Sequence, residues 1–290
     1  MAITELIRHK AFLRGLSSRT IQTYIYVVEK FLRLYHKDHL EITKNDIEKH
    51  CLMLIENNHS TNTLNVHLNA LKFFYEEVLN RQLTINIRYC RVPKKLPEFL
   101  SQEETIQILS QISNPKHLLM IKMLYSAGLR ISELLNLKVN HLNLDQNYGW
   151  VRNGKGKKDR VFVIADKLKI ELTDWINKLT PEDYLFSYLG RKMSSQTIRK
   201  VLSLACRNAK INKNVHPHTL RHSFATHLLE NGYSITELQH LLGHNKLDTT
   251  LIYAHLTQPK FINVKSPFDT LPTKIDSKVE SKIEPEGNKI

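Results

Sequence analysis

Apolar residues in this chain recur at the helical period almost throughout and give way to a strand-like run in one short stretch, and that pattern leaves few architectures open. From Leu16 to Lys37, residues Ile21, Tyr24, Ile25, Val28, Phe31, Leu32 and Tyr35 fall at i, i+3, i+4 and i+7 with charge on the opposite face. Thr43 and Asp46 open a second helix, to about Ile55, and Leu64, Leu68, Leu71, Phe74, Tyr75 and Val78 carry the same period from Ser60 to Leu79. Between Trp150 and Ile164 the pattern changes: Trp150 and Val151, the turn pair Asn153-Gly154, then Val161 to Ile164 predict a β-hairpin. The expected fold class is mainly α with a small antiparallel β-sheet.

Periodicity also divides the chain. Between Asn86 and Phe99 it is lost, and Arg88, Arg91, Lys94 and Lys95 stand beside prolines 93 and 97, which predicts an exposed, extended, basic linker. The expected units are an N-terminal helical bundle over 1–85, a linker over 86–98, a second domain over 99–265 and a disordered tail over 266–290, where Lys and Glu alternate around Pro272 and Pro285. In the second domain, Ser101 and Glu104 form a capping box for a helix to about Ile112, and an apolar helix from Lys116 to Ala127 stops at Gly128. Beyond the hairpin, helices are predicted over Asp166–Lys178, Ser194–Lys210, Pro217–Glu230 and Ile235–Leu242, with a last one around Leu247–His255.

Composition narrows the partner. Forty-two Lys and Arg against 28 Asp and Glu give a net charge of +14 over 290 residues. Residues 1–98 carry 15 basic and 10 acidic side chains and residues 99–265 carry 23 and 13, so both units are basic and a polyanion is the expected partner. Two basic domains suggest a clamp that clasps a duplex from both sides. No run of about 18 apolar residues exists, and Glu5 and Arg8 interrupt any signal-peptide pattern, so a cytoplasmic chain with no membrane association is expected. Cys51, Cys90 and Cys206 are far apart and read as buried small hydrophobes, not as a disulfide framework or a zinc ribbon.

Several residues could carry chemistry. In HPHTLRHSFATHLL, Pro217 suits the first helical position, Leu220, Phe224, His227 and Leu228 share one stripe, and His218 and Arg221 lie together on another face near the helix N-terminus. There the backbone amides already favour an anion, so this pair could hold a phosphate, or it could be an ordinary solvated face. His222 and His227 read as structural. Ser234 and Glu237 cap a helix that Gly243 terminates, which presents His244 just past a rigid end. His240 and His244 lack the intervening glutamate of a zinc hydrolase motif, so no metal site is expected. Arg130, in GLRISEL, projects from the turn after Gly128 or pairs with Glu133. Lys155, in GKGKKDR, occupies the predicted hairpin turn, where Lys157, Lys158 and Arg160 are further candidates for DNA contacts. Tyr253, in TTLIYAH, taken alone is a half-buried core tyrosine. Together, two arginines, a lysine, two histidines and a tyrosine are the groups needed to move a phosphodiester without a metal.

In order and spacing, GLRISEL, GKG, HPHTLRHSFATHLL, LLGH and TTLIYAH resemble the successive boxes of the tyrosine recombinase, or phage-integrase, family, and most closely its Xer-like members. The resemblance spans about residues 3–258, with the first domain similar to the family's SAM-like core-binding domain by pattern alone. It implies a two-domain DNA clamp with Arg130 and Arg221 as activating arginines, Lys155 as the hairpin lysine, His218 and His244 as the two histidines and Tyr253 as the nucleophile. It implies site-specific cleavage and rejoining of double-stranded DNA through a 3′-phosphotyrosyl link, with no cofactor, metal or ATP. It further implies a homotetramer on paired recombination sites at the nucleoid, a second recombinase remaining an open alternative. Rival readings are a type IB topoisomerase and a catalytically silent DNA-binding protein. The tail after Tyr253 is longer than in a compact Xer-like chain.

Overall fold

The computed structural model describes residues 2–83, 97–152, 159–188, 190–243 and 250–251. The chain divides into two compact units, Met1–Lys95 and Leu96–Ile290. The expected linker apart from Pro97 and Glu98, the expected helix around Leu247–His255 apart from Thr250 and Leu251, and the tail lie outside the described residues.

The described part of the first unit is built of helices: α1 (Ile3–Leu13), α2 (Ser18–Tyr35), α3 (Lys44–Glu56) and α4 (Thr61–Lys72), which runs on into a π-helical turn over Phe73–Val78. Each of the last three begins where its sequence supplies an acceptor for orphan amides: Ser17 accepts from the Thr20 backbone, Thr43 from Asp46 and Ser60 from Thr63. The carboxylate of Asp46 also takes Lys37 at 2.9 Å; burial opposes its ionisation, but Lys37 and Thr43 outweigh burial and hold its pKa at about 2. Ile7, Val28, Phe31, Ile42, Ile47, Leu71, Phe74 and Tyr75 form the core. Inside it lie two histidines, His50 Nε2 and His67 Nδ1 being 3.1 Å apart, with Phe31 edge-on to His50. Burial lowers the pKa of both rings, that of His50 to about 4; His67 and Lys30 add to the shift of His50, and Lys30 and His59 to that of His67.

The second unit packs α5 (Gln102–Ser110), α6 (Pro115–Ser126), α7 (Ile131–Asn136), α8 (Asp166–Ile176), α9 (Ser195–Asn208), α10 (Pro217–Glu230) and α11 (Ile235–Leu242) with two small sheets. One is an antiparallel sheet of β1 (Leu142–Asn143), β2 (Tyr148–Val151) and β3 (Arg160–Val163), in that order. Trp150 faces Val161 and Val151 faces Arg160, so residues 152–159 connect the strands in place of the two-residue Asn153-Gly154 turn expected from sequence. The other sheet, β4 (Ser187–Tyr188) with β5 (Arg191–Lys192), was not foreseen, because two-residue strands are too short to show alternation. Ile108, Met120, Met123, Leu124, Leu134, Phe162, Phe186 and Leu202 centre the core, and Ala225, Leu229, Leu238 and Leu242 form a satellite cluster between α10 and α11. A buried Leu or Phe stabilises by about 1.5–3 kcal/mol, so this packing fixes the ends of α6, α10 and α11 against one another.

Candidate active site

The site grows from the end of α6. Gly128, at φ 56°, turns the chain, and a Cβ there would sit 2.4 Å from Phe224 Cδ1 and 3.2 Å from Leu242 Cδ2, so only glycine fits. The turn aims the Gly128 carbonyl at α10, where it accepts a hydrogen bond from Arg221 Nη1 at 2.6 Å. Arg221 Nη2 donates to the carbonyl of Leu242, the last residue of α11. With a side chain only 3% exposed, Arg221 is a buried cation held by two helix-end carbonyls, where the helix dipole favours positive charge.

Two residues after Gly128, Arg130 caps α7 in extended conformation. Its backbone amide donates to Glu133 Oε2 at 2.9 Å and its Nη1 to Glu133 Oε1 at 2.6 Å. The pairing with Glu133 read from sequence as the alternative to a site role is therefore present, and it fixes the Arg130 side chain. Glu133 is buried and collects two further guanidiniums: Arg160 Nη2 at 2.7 Å and Arg221 Nη1 at 3.8 Å. Burial alone would raise the Glu133 pKa; Arg160 and Arg130 together hold it below the usual carboxylate range.

Arg160 corrects an expectation. Its sequence neighbours placed it among DNA contacts, but its side chain is 9% exposed and its terminal nitrogens are engaged by Glu133 and by the carbonyl of Leu241. The register that sets Arg160 opposite Val151 at the start of β3 turns this side chain inward. Glu133 is the residue sequence reasoning undervalued, weighed only as a rival partner for Arg130; its signal was the three-residue spacing within GLRISEL.

His218 lies at the start of α10, one helical turn before Arg221, and is exposed. Its ring stands 6.1 Å from that of His216, whose Nδ1 accepts from the Thr219 backbone amide as the cap of the helix. Desolvation at the helix surface, then His216, Arg221, Arg130 and Arg199, lower the His218 pKa. His222 is driven further, to about 4, by burial and the same histidines. His227 Nδ1 meets the Tyr125 hydroxyl at 2.8 Å inside the fold. Of the residues singled out from sequence, the structure gathers Arg130 and Arg221 on one carboxylate and sets His218 on the helix of Arg221. Lys155, Lys157, Lys158, His244 and Tyr253, like Arg88, Arg91, Lys94 and Lys95, lie outside the described residues. Among the described residues no three His, Cys, Asp or Glu side chains cluster in a way that could hold a metal, and no helix is long and apolar enough to cross a membrane.

Residues 98–259 match the model of the phage integrase family, and residues 3–85 that of the phage integrase N-terminal SAM-like domain. The chain is 35% identical over 284 residues to tyrosine recombinase XerD of Oceanobacillus iheyensis, covering 89% of this chain and 95% of that protein. To tyrosine recombinase XerA of Pyrococcus furiosus it is 37% identical over 253 residues, 84% of this chain and 86% of that one. Among solved structures, a XerA recombinase superposes with TM-score 0.52 at 31% identity over 89% of this chain and 95% of that one. The fold is also that of the XerH recombinase bound to its difH substrate, with TM-score 0.68 at 22% identity over 88% and 82% of the two chains. A SAM-like helical domain followed by a mainly helical catalytic domain with a small sheet is the architecture of the integrase-type DNA recombinases. This chain belongs to the phage integrase family of tyrosine recombinases.

Proposed function

We propose that this protein is a site-specific DNA recombinase that cuts and rejoins double-stranded DNA through a 3′-phosphotyrosyl intermediate. The observation that carries the reading is the convergence of Arg130 and Arg221 on Glu133, with His218 one helical turn from Arg221 on α10. Held by fixed partners, the two guanidiniums stabilise charge building on the nonbridging oxygens of a scissile phosphate without reorganising. Tyr253 attacks phosphorus; the new P–O bond to the phenol replaces the bond to the 5′-oxygen. His218 receives the phenolic proton, Lys155 gives one to the departing 5′-oxygen, and His244 donates a hydrogen bond to a phosphoryl oxygen. The ester energy stays in the phosphotyrosine, so religation to another strand needs neither ATP nor metal.

In this reading residues 1–85 are a core-binding domain, 86–98 a basic linker that tracks the backbone through Arg88, Arg91, Lys94 and Lys95, and 99–265 the catalytic domain, with Lys157 and Lys158 contacting phosphates and 266–290 a tail. The active assembly is a homotetramer on two sites, working on the nucleoid in the cytoplasm.

The test is covalent capture. Protein incubated with fragmented genomic DNA should retain one recurrent sequence on Tyr253, recovered after denaturation, and Tyr253→Phe should bind the same DNA without the adduct. Lys155→Ala should lose cleavage but regain it when sulfur replaces the bridging 5′-oxygen, because a thiolate, with a pKa of ~8.5 as for cysteine, departs without a proton. An adduct that persists in Tyr253→Phe overturns the nucleophile. Equal inactivity of both variants on the sulfur substrate overturns Lys155 as the acid.

A further inference from the structure

Arg160 stands where three parts of the second unit meet. It opens β3, directly after the connection that carries Lys155, and its side chain crosses to the end of α11 and to the start of α7. The last two carbonyls of α11 are each taken by an arginine, Leu241 by Arg160 and Leu242 by Arg221. Gly243 follows at φ 61°, and a Cβ on it would lie 2.6 Å from Arg160 Cδ, so the helix ends on a glycine that leaves a channel for this side chain. The arginine's Nε is buried and finds no hydrogen-bond partner among the described residues, a cost tolerated for the contacts its terminal nitrogens make with Glu133 and with the carbonyls of Leu241 and Val161.

We propose that Arg160 is a positioning residue that keeps Arg221 oriented for the phosphate by occupying Glu133 Oε2 and pinning the end of α11. The inference rests on the assignment of Arg130 and Arg221 above. Glu133 Oε2 already holds Arg160 at 2.7 Å, while Arg221 remains 3.8 Å away. Without Arg160, Glu133 Oε2 loses its nearest guanidinium and draws in Arg221, whose Nη1 stands 3.8 Å away, so that charge meant for the substrate phosphate is spent on Glu133. The Leu241 carbonyl is released at the same time, so the neighbouring Leu242 carbonyl no longer fixes the orientation of Arg221.

Arg160→Met and Arg160→Lys test this on a duplex carrying the captured site. Adduct formation is timed with the ordinary scissile phosphate and with a methylphosphonate in its place, whose methyl group removes one nonbridging oxygen and its charge. Wild type and variants are compared at matched occupancy of the DNA, with thermal unfolding recorded alongside. Arg160→Met should slow cleavage of the phosphate on the order of 10²-fold, as misplaced catalytic groups do. The slowing should nearly vanish on the methylphosphonate, where guanidinium charge matters little. If the methionine variant does not fold, Arg160→Lys, which keeps the charge but reaches only one of Glu133 and the Leu241 carbonyl, should show a smaller loss with the same substrate dependence. An equal loss on both substrates makes Arg160 a scaffold residue only, and unchanged cleavage by either folded variant removes its role; both overturn the proposal. Wild-type protein that forms no adduct at all overturns the recombinase assignment instead.

Discussion

Replacing Glu133 with Gln keeps the shape of the side chain and removes only its charge and one acceptor. Glu133 Oε2 receives the Arg130 backbone amide and Arg160 Nη2, and Oε1 receives Arg130 Nη1. A glutamine satisfies the first two with its carbonyl and then points an amide donor at the third donor. Removing one partner of a buried ion pair costs about 3–5 kcal/mol, and at 3% exposure little water reaches the glutamine in compensation. Arg130, at 18% exposure, can turn toward solvent, which favours the lower end, about 3 kcal/mol. Both tryptophans of the chain, Trp150 and Trp175, belong to the second unit, so fluorescence during urea unfolding reports on that unit alone. With a slope of ~2 kcal/mol per M, the midpoint should fall by about 1.5 M. The Glu133 pKa is lower folded than unfolded, so its contribution is complete above the ordinary carboxylate range and fades as pH falls through the folded value. The gap between Glu133→Gln and wild type should therefore be widest at neutral pH and close in acid. A loss below about 1 kcal/mol at pH 7, or a gap that does not narrow in acid, refutes the view of Glu133 as a charged keystone.

Two further outcomes are expected. Gly128→Ala should destabilise the second unit by about 2–4 kcal/mol, combining the left-handed backbone with overlap against Phe224, and should slow adduct formation by shifting the Arg221 acceptor; tryptophan-detected unfolding within about 0.5 kcal/mol of wild type would sink this. In the first unit, His50 stays neutral when folded while the unfolded chain takes up a proton below its ordinary 6.5, so stability is unaffected above that pH and declines between it and about 4, by up to about 3 kcal/mol; an NMR titration of the His50 ring with a midpoint near 6.5 contradicts this.

Most helices were legible because their signals are local. The apolar stripes of α2 and α4, the capping boxes at Thr43, Ser101 and Ser234, and the terminating glycines at 128 and 243 all act within one or two turns, and the structure places elements there. α10 was harder. Its predicted single stripe is a helix buried on most of its surface, with Thr219, Arg221, Ser223, Ala225 and Thr226 all inside, because α6, α9 and α11 all pack against it. The small sheet was legible as a hairpin from its β-branched and aromatic run, but the register was not, since Asn153-Gly154 is a strong turn signal only when the strands close at that point.

The site was legible as a list of residue types, and its organisation was not, for a physical reason. Arg160 and Arg221 are brought to the local Arg130–Glu133 pair by long-range packing, and a basic residue next to other basic residues reads as solvated whether it points out, as Arg152 does, or in, as Arg160 does. Only the pairing of Val151 with Arg160 decides the direction, and the sequence near position 160 does not encode it. The consequence bears on catalysis. Among the described residues, three guanidiniums gather around one carboxylate in a largely dehydrated place, which costs folding energy unless helix-end carbonyls share the load, as those of Gly128, Leu241 and Leu242 do. In the proposed reading, the anion that relieves that excess of guanidinium over carboxylate is the scissile phosphate, and the stability this arrangement sacrifices in the free protein is recovered on a phosphodiester whose charge is increasing.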